Sequence, residues 1–123
     1  MSMLQGCAEG RSAATWVDWN FYGHQVVTHL VPGYNATAHH NAVDGDAVPV
    51  PHCGAVLSKE QFEELAERLR QNGVKFVIEP HLRFVGQPGE QLTMFFTDPS
   101  GNALEFKAMS RPENLFARYT VTE

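Results

Sequence analysis

The chain has 123 residues, 43% hydrophobic and 19% charged, a size and balance suited to a single folded core and too small for two independent ones. Its net charge of −5 comes without a Lys/Arg cluster, so it offers nothing for a nucleic-acid backbone to bind. No apolar run approaches the roughly 20 residues that span a bilayer, and the start "MSMLQGCAEGRS" lacks the basic and apolar segments of a signal peptide, so a cytoplasmic protein that touches no membrane is expected.

Cys7 and Cys53 have no CxxC spacing and are too few for a disulfide framework. Both read as free thiols, with Cys53 expected to be buried in a strand.

In chain order, residues 15–22 "TWVDWNFY" and 24–31 "HQVVTHLV" are β-branched and aromatic runs joined at Gly23, which predicts a hairpin. Residues 32–50 are rich in Pro, Gly, Asn, Asp and Ala with little periodicity and read as a loop and linker. A short strand, "PHCGAVL", opens the longer second part. Ser58 then stands as an N-cap with Gln61 three residues on, before a helix whose Phe62, Leu65, Ala66 and Leu69 share one face. Gly73 stops it.

The strand "VKFVIEP" follows, then the irregular segment "HLRFVGQPGEQ", then the strands "LTMFFTD" and "NALEFKA" around the tight turn "DPSG". Together, 51–108 make a βαβββ unit. The tail 109–123 contains "RPENLFARY", a helical turn or two in which Leu115 and Phe116 are expected to dock.

Alternation along "NALEFKA" puts Leu104 and Phe106 on one face and Ala103, Glu105 and Lys107 on the other. In "PHCGAVL", His52 shares a face with Gly54 and Val56. His52 and Glu105 meet if the sheet curves to bring the two strands together. An imidazole and a carboxylate are ligand types for Zn²⁺, Fe²⁺, Mn²⁺ or Ni²⁺. Alternation alone favours reading Glu105 as a solvated edge charge.

The stretches "PHCGAVL", "FEELAERLRQNGVKFVIEP", "GQPGEQ" and "MFFTDPSGNALEFK" resemble the second module of a vicinal oxygen chelate protein of the glyoxalase, bleomycin-resistance and extradiol-dioxygenase superfamily. The hairpin "TWVDWNFYGHQVVTHLV" resembles the end of the first module, and "LQGCAEGRS" resembles a helix end and the turn after it. The resemblance implies an α+β fold of βαβββ modules, a curved mixed sheet with helices on its convex side. Here the first module is incomplete: the first strand and most of the helix after it have no counterpart. On that plan the chain is a single glyoxalase-like domain, 1–123, in which 1–31 is the remnant of module one, 32–50 the linker, 51–108 module two and 109–123 a tail.

The same resemblance implies a divalent metal ion (Fe, Zn, Mn or Ni) held by His52 and Glu105, with His29, on the last strand of the first module, as a third ligand. Arg83, whose fork suits a carboxylate, and Gln87 and Glu90 at the cleft mouth are the substrate-binding candidates. The implied activity is that of a metal-dependent dioxygenase or a glyoxalase-like lyase acting on a small oxygenated molecule. Two alternatives are a non-catalytic antibiotic-binding protein of the same fold and an inactive truncated form. An incomplete module leaves a sheet edge exposed, and such an edge invites a second copy, so a homodimer is expected.

Overall fold

The computed structural model describes residues 6–34 and 39–121. It divides into two compact units, Met1–Tyr34 and Asn35–Glu123, each described by itself.

In the first unit, β1 (Ala8–Ala13), β2 (Trp16–Phe21) and β3 (His24–His29) form an antiparallel sheet in that order. The hairpin expected around Gly23 is present: Tyr22 at φ 55° and Gly23 at φ 85° supply the two left-handed positions of a type I′ turn. The expected helix end before it is a strand instead. Ala8 pairs with Asn20 and Ala13 with Trp16. The stretch "AEGRSA" has no apolar stripe at helical spacing, so pairing with β2 decides its conformation. Residues 4 and 5 of that expectation lie outside the described residues.

The second unit opens with another departure. Residues 32–50 were expected as loop, but β4 (His39–Val43) and β5 (Asp46–Val50) form an antiparallel hairpin. Asp44 at φ 47° and Gly45 at φ 81° make its turn, and Asp-Gly is a strong hairpin signal that outweighs the polar composition around it. Positions 35–38 of the expected linker lie outside the described residues. After a cis Val50–Pro51 bond come β6 (His52–Val56), α1 (Lys59–Gln71), β7 (Phe76–Arg83), β8 (Gln91–Thr97) and β9 (Ala103–Met109), then a short 3-10 turn, Pro112–Asn114. This is the expected βαβββ order.

Its four strands form a mixed sheet, β6-β9-β8-β7, with β6 parallel to β9 and the other pairs antiparallel. The protein is therefore an α+β fold, mostly strand with one α-helix among the described residues.

The helix is set locally. Ser58 Oγ accepts from the Gln61 N–H at 3.1 Å, while Gln61 Oε1 accepts from the Ser58 N–H at 3.0 Å. This reciprocal cap satisfies two donors that the first turn leaves open. Ser58→Ala is expected to lower stability by about 1 kcal/mol in a urea unfolding series, and an unchanged midpoint would show that the cap contributes nothing. Phe62, Leu65, Ala66 and Leu69 are buried, as their spacing predicts.

Register defines the two faces of the sheet. Met94 pairs with Phe106 and Phe96 with Leu104, and these four side chains are all but completely buried. The helix lies on this face: α1 packs against β9, and the Arg70 guanidinium sits 5.7 Å from the centre of the Phe76 ring, whose strand partner is Phe96. On the other face, Val48 of β5 packs with Ile78 and Phe95, and Val43 joins them. The β4–β5 hairpin thus covers part of the face that carries Glu105.

Two further expectations need correcting. Cys53 is exposed, because β6 is an edge strand and its neighbour β9 shields only one side, whereas Cys7 is buried. Phe116 is 92% exposed rather than docked among the described residues, while Leu115 is half-buried.

Candidate metal centre

Parallel pairing of β6 with β9 sets His52 opposite Ala103, Gly54 opposite Glu105 and Val56 opposite Lys107. His52 and Glu105 therefore share a face, as alternation predicts. They meet because the strands are hydrogen-bonded neighbours, and no long-range curvature is needed.

The approach is unusually close at Gly54, where an added Cβ would collide with the Glu105 carbonyl. Only glycine fits there.

His52 is held from behind. Its Nδ1 lies 2.7 Å from the Pro49 carbonyl oxygen, which can only accept, so Nδ1 carries a proton. The edge of its ring meets Phe95, with centroids 5.1 Å apart and planes at 77°. Together these contacts aim Nε2 at Glu105, whose Oε2 is 3.1 Å away.

A neutral imidazole would then present its Nε2 lone pair to an anionic oxygen. That arrangement repels unless a cation lies between them, either a proton, which makes an ion pair, or a metal ion. The donor set fits a metal: two ligand atoms each about 2.1 Å from one ion and at right angles to each other stand about 3.0 Å apart. A carbonyl acceptor on the far nitrogen is the usual support for a ligating imidazole. Among the described residues no group of three or more His, Cys, Asp and Glu side chains gathers around one point, so His52 and Glu105 stand as a pair without a third such ligand.

The carboxylate has a second neighbour. Lys107 Nζ stands 3.5 Å from Glu105 Oε1, on the same face two residues along β9.

His29 ends β3 in the first unit, exposed and paired with Trp16, on the face that also carries Gln25 and Asp18. Asp18 is buried and bound by Arg11 Nε at 2.9 Å.

Arg83 is 2% exposed, and its guanidinium is spent inside the unit: Nη2 donates to the Val43 carbonyl at 2.8 Å, and Nε lies 3.1 Å from Asp46 Oδ2. The latter is a charge contact, off the angle of a hydrogen bond. His81 Nε2 makes a similar 3.1 Å contact to the same oxygen. Arg83 thus ties the hairpin to the sheet.

Glu90 closes its own loop. The Gly86 N–H and then the Ser110 hydroxyl hold its carboxyl below the usual carboxylate range, with Arg111 adding to the effect. Gln87 lies between them in the turn, its N–H donating to the Phe84 carbonyl at 3.0 Å. Cys53, next to His52 in sequence, is kept as a thiol because partial burial and then the Asp98 carboxylate push its pKa up. Pro49, Gly54, Asp46 and Lys107 were not foreseen from the sequence; the Asp-Gly turn was the one signal for the hairpin that carries Pro49 and Asp46.

Residues 23–106 match the family model described as the Glyoxalase/Bleomycin resistance protein/Dioxygenase superfamily. No match was found among curated proteins. Among solved structures, a glyoxalase/bleomycin resistance protein/dioxygenase from Alicyclobacillus acidocaldarius is 27% identical with a TM-score of 0.74, over 91% of this chain and 80% of that one. The fosfomycin resistance protein FosX from Listeria monocytogenes, in a complex with Mn(II) and sulfate, is 16% identical with a TM-score of 0.64, over 97% of this chain and 82% of that one. The second likeness is one of fold alone.

Proposed function

Since the chain belongs to the Glyoxalase/Bleomycin resistance protein/Dioxygenase superfamily, we propose that it is a divalent-metal-dependent enzyme, a lyase or dioxygenase acting on a small oxygenated molecule at His52 and Glu105. One observation carries this reading: His52 Nε2, aimed by the Pro49 carbonyl at Nδ1, lies 3.1 Å from Glu105 Oε2, so an imidazole and a carboxylate converge on one point. A divalent ion bound there would act as a Lewis acid on neighbouring substrate oxygens. His52 and Glu105 would hold it on one side and leave the opposite side for substrate. Phe95 keeps the imidazole from turning away, and the Pro49 carbonyl fixes which nitrogen binds. That FosX was solved with Mn(II) supports a divalent ion in this fold.

Metal analysis after gentle purification tests the proposal. The chain should retain close to one divalent ion, and a His52→Ala, Glu105→Ala double variant should lose it, with affinity for added Mn²⁺ or Zn²⁺ down at least about 100-fold, the upper end of what one supporting contact alone is worth. Equal and negligible metal in both proteins would remove the enzyme reading and leave a binding protein that sequesters its ligand without chemistry.

A further inference from the structure

The pairing of Arg83 with Asp46 needs a reason beyond stability. The guanidinium is 2% exposed, and the two facing atoms, Nε and Oδ2, are buried 3.1 Å apart without the angle of a hydrogen bond. A buried ion pair stabilises a fold little more than apolar side chains of the same volume would, and its best-attested use is to fix the register of the elements it joins. What it fixes here is the tip of the β4–β5 hairpin. The contacts that converge there are Arg83 Nη2 on the Val43 carbonyl, Arg83 Nε and His81 Nε2 on Asp46 Oδ2, and the Phe84 N–H donating to Asp44 Oδ2 at 3.0 Å.

Pro49 stands three residues further along β5 than Asp46, about 10 Å away at the rise of a strand. Its carbonyl is the acceptor at His52 Nδ1. Proline gives the ladder with β4 no donor, so the place of this carbonyl depends the more on its neighbours in β5. Val48 packs on Phe95, the ring that meets the His52 edge, and Asp46 is latched to β7. The hairpin thus reaches the imidazole by two routes, through the Pro49 carbonyl and through Phe95.

We infer that Asp46 and Arg83 are positioning residues for His52: the latch at the hairpin tip sets where the Pro49 carbonyl stands, and so which way the imidazole faces. The inference deepens the metal-centre reading and rests on it for its use in catalysis. The orientation of His52 is readable with or without a metal.

The imidazole itself is the readout. In the full-length, metal-free chain with ¹⁵N-labelled histidine, the His52 Nδ1–H should give a ring N–H signal with a nuclear Overhauser contact to the Phe95 ring. Asp46→Asn, which removes the charge that Arg83 and His81 face, should speed exchange of that proton with water about tenfold or more, the factor that one hydrogen bond is worth, and weaken the Phe95 contact. Leu69→Ala, which opens a cavity under the helix on the opposite face of the sheet, controls for lost stability and should leave both signals as they are. The Arg83→Met, Asp46→Asn double variant removes the latch without stranding the carboxylate, and its His52 proton should still exchange fast.

Exchange that rises as much in Leu69→Ala overturns the inference, as does exchange unchanged in Asp46→Asn, a slow proton in the double variant, or no Nδ1–H signal in the unaltered chain. A zinc titration of the same proteins keeps this failure apart from that of the metal centre. Zinc should bind Asp46→Asn about tenfold or more weakly than the unaltered chain, as for other contacts that support a ligand. Equal zinc affinity in the two removes the positioning role alone, whereas no zinc uptake by either, with the His52 signal still following the latch, removes the metal centre and leaves the positioning.

Discussion

Gly54→Ala should destabilise the protein by about 3 kcal/mol, the upper end for forcing one extra carbon into a packed site. The added methyl meets the Glu105 backbone carbonyl, which β9 cannot withdraw without breaking its pairing with β8. The strain falls on the edge instead: β6 must move away and take His52 with it. The same variant should therefore lose metal affinity by about tenfold or more, since a ligand displaced by even half an ångström leaves the productive geometry. A urea series with metal titration checks both. An unchanged midpoint would show that the two backbones have room to spare.

Arg83→Met carries the second large effect. Removing a buried guanidinium leaves the Asp46 carboxylate with His81 beside it among the described residues and takes the Arg83 donor from the Val43 carbonyl, a loss of about 3–5 kcal/mol if it behaves as other broken buried pairs. The cost should come mainly from the stranded charge. Adding Asp46→Asn to Arg83→Met should then recover part of the stability in the same unfolding measurement. If the double variant is no better than the single one, packing of the arginine stem accounts for the loss.

What could be read in advance follows the range of each interaction. Helix α1 was legible because its cap and its apolar stripe lie within a few residues of one another, at Ser58 and Gln61 and from Phe62 to Leu69. The faces of β6 and β9 were legible too, since alternation fixes which side chains share a side. Their adjacency was not: a parallel pair is joined through a helix and two strands, and no local pattern announces it. The partners of Arg83 were not legible for the same reason, because Val43 and Asp46 belong to a hairpin some forty residues upstream. That hairpin was hidden by polar composition, with Asp44 and Gly45 the only sign of the turn.

The parallel pairing of β6 with β9 has a consequence for assembly. It is the longest-range strand pairing among the described residues of the second unit, and closures of that kind pay their loop entropy before they gain contacts, so they form late. His52 and Glu105 come within reach only when that closure is made. Whatever binds between them acts as a clasp on the finished sheet: a ligand at 100 times its dissociation constant would add about 2.7 kcal/mol to the folded state. If the proposed divalent ion binds there, it would also hold β6 on the sheet edge.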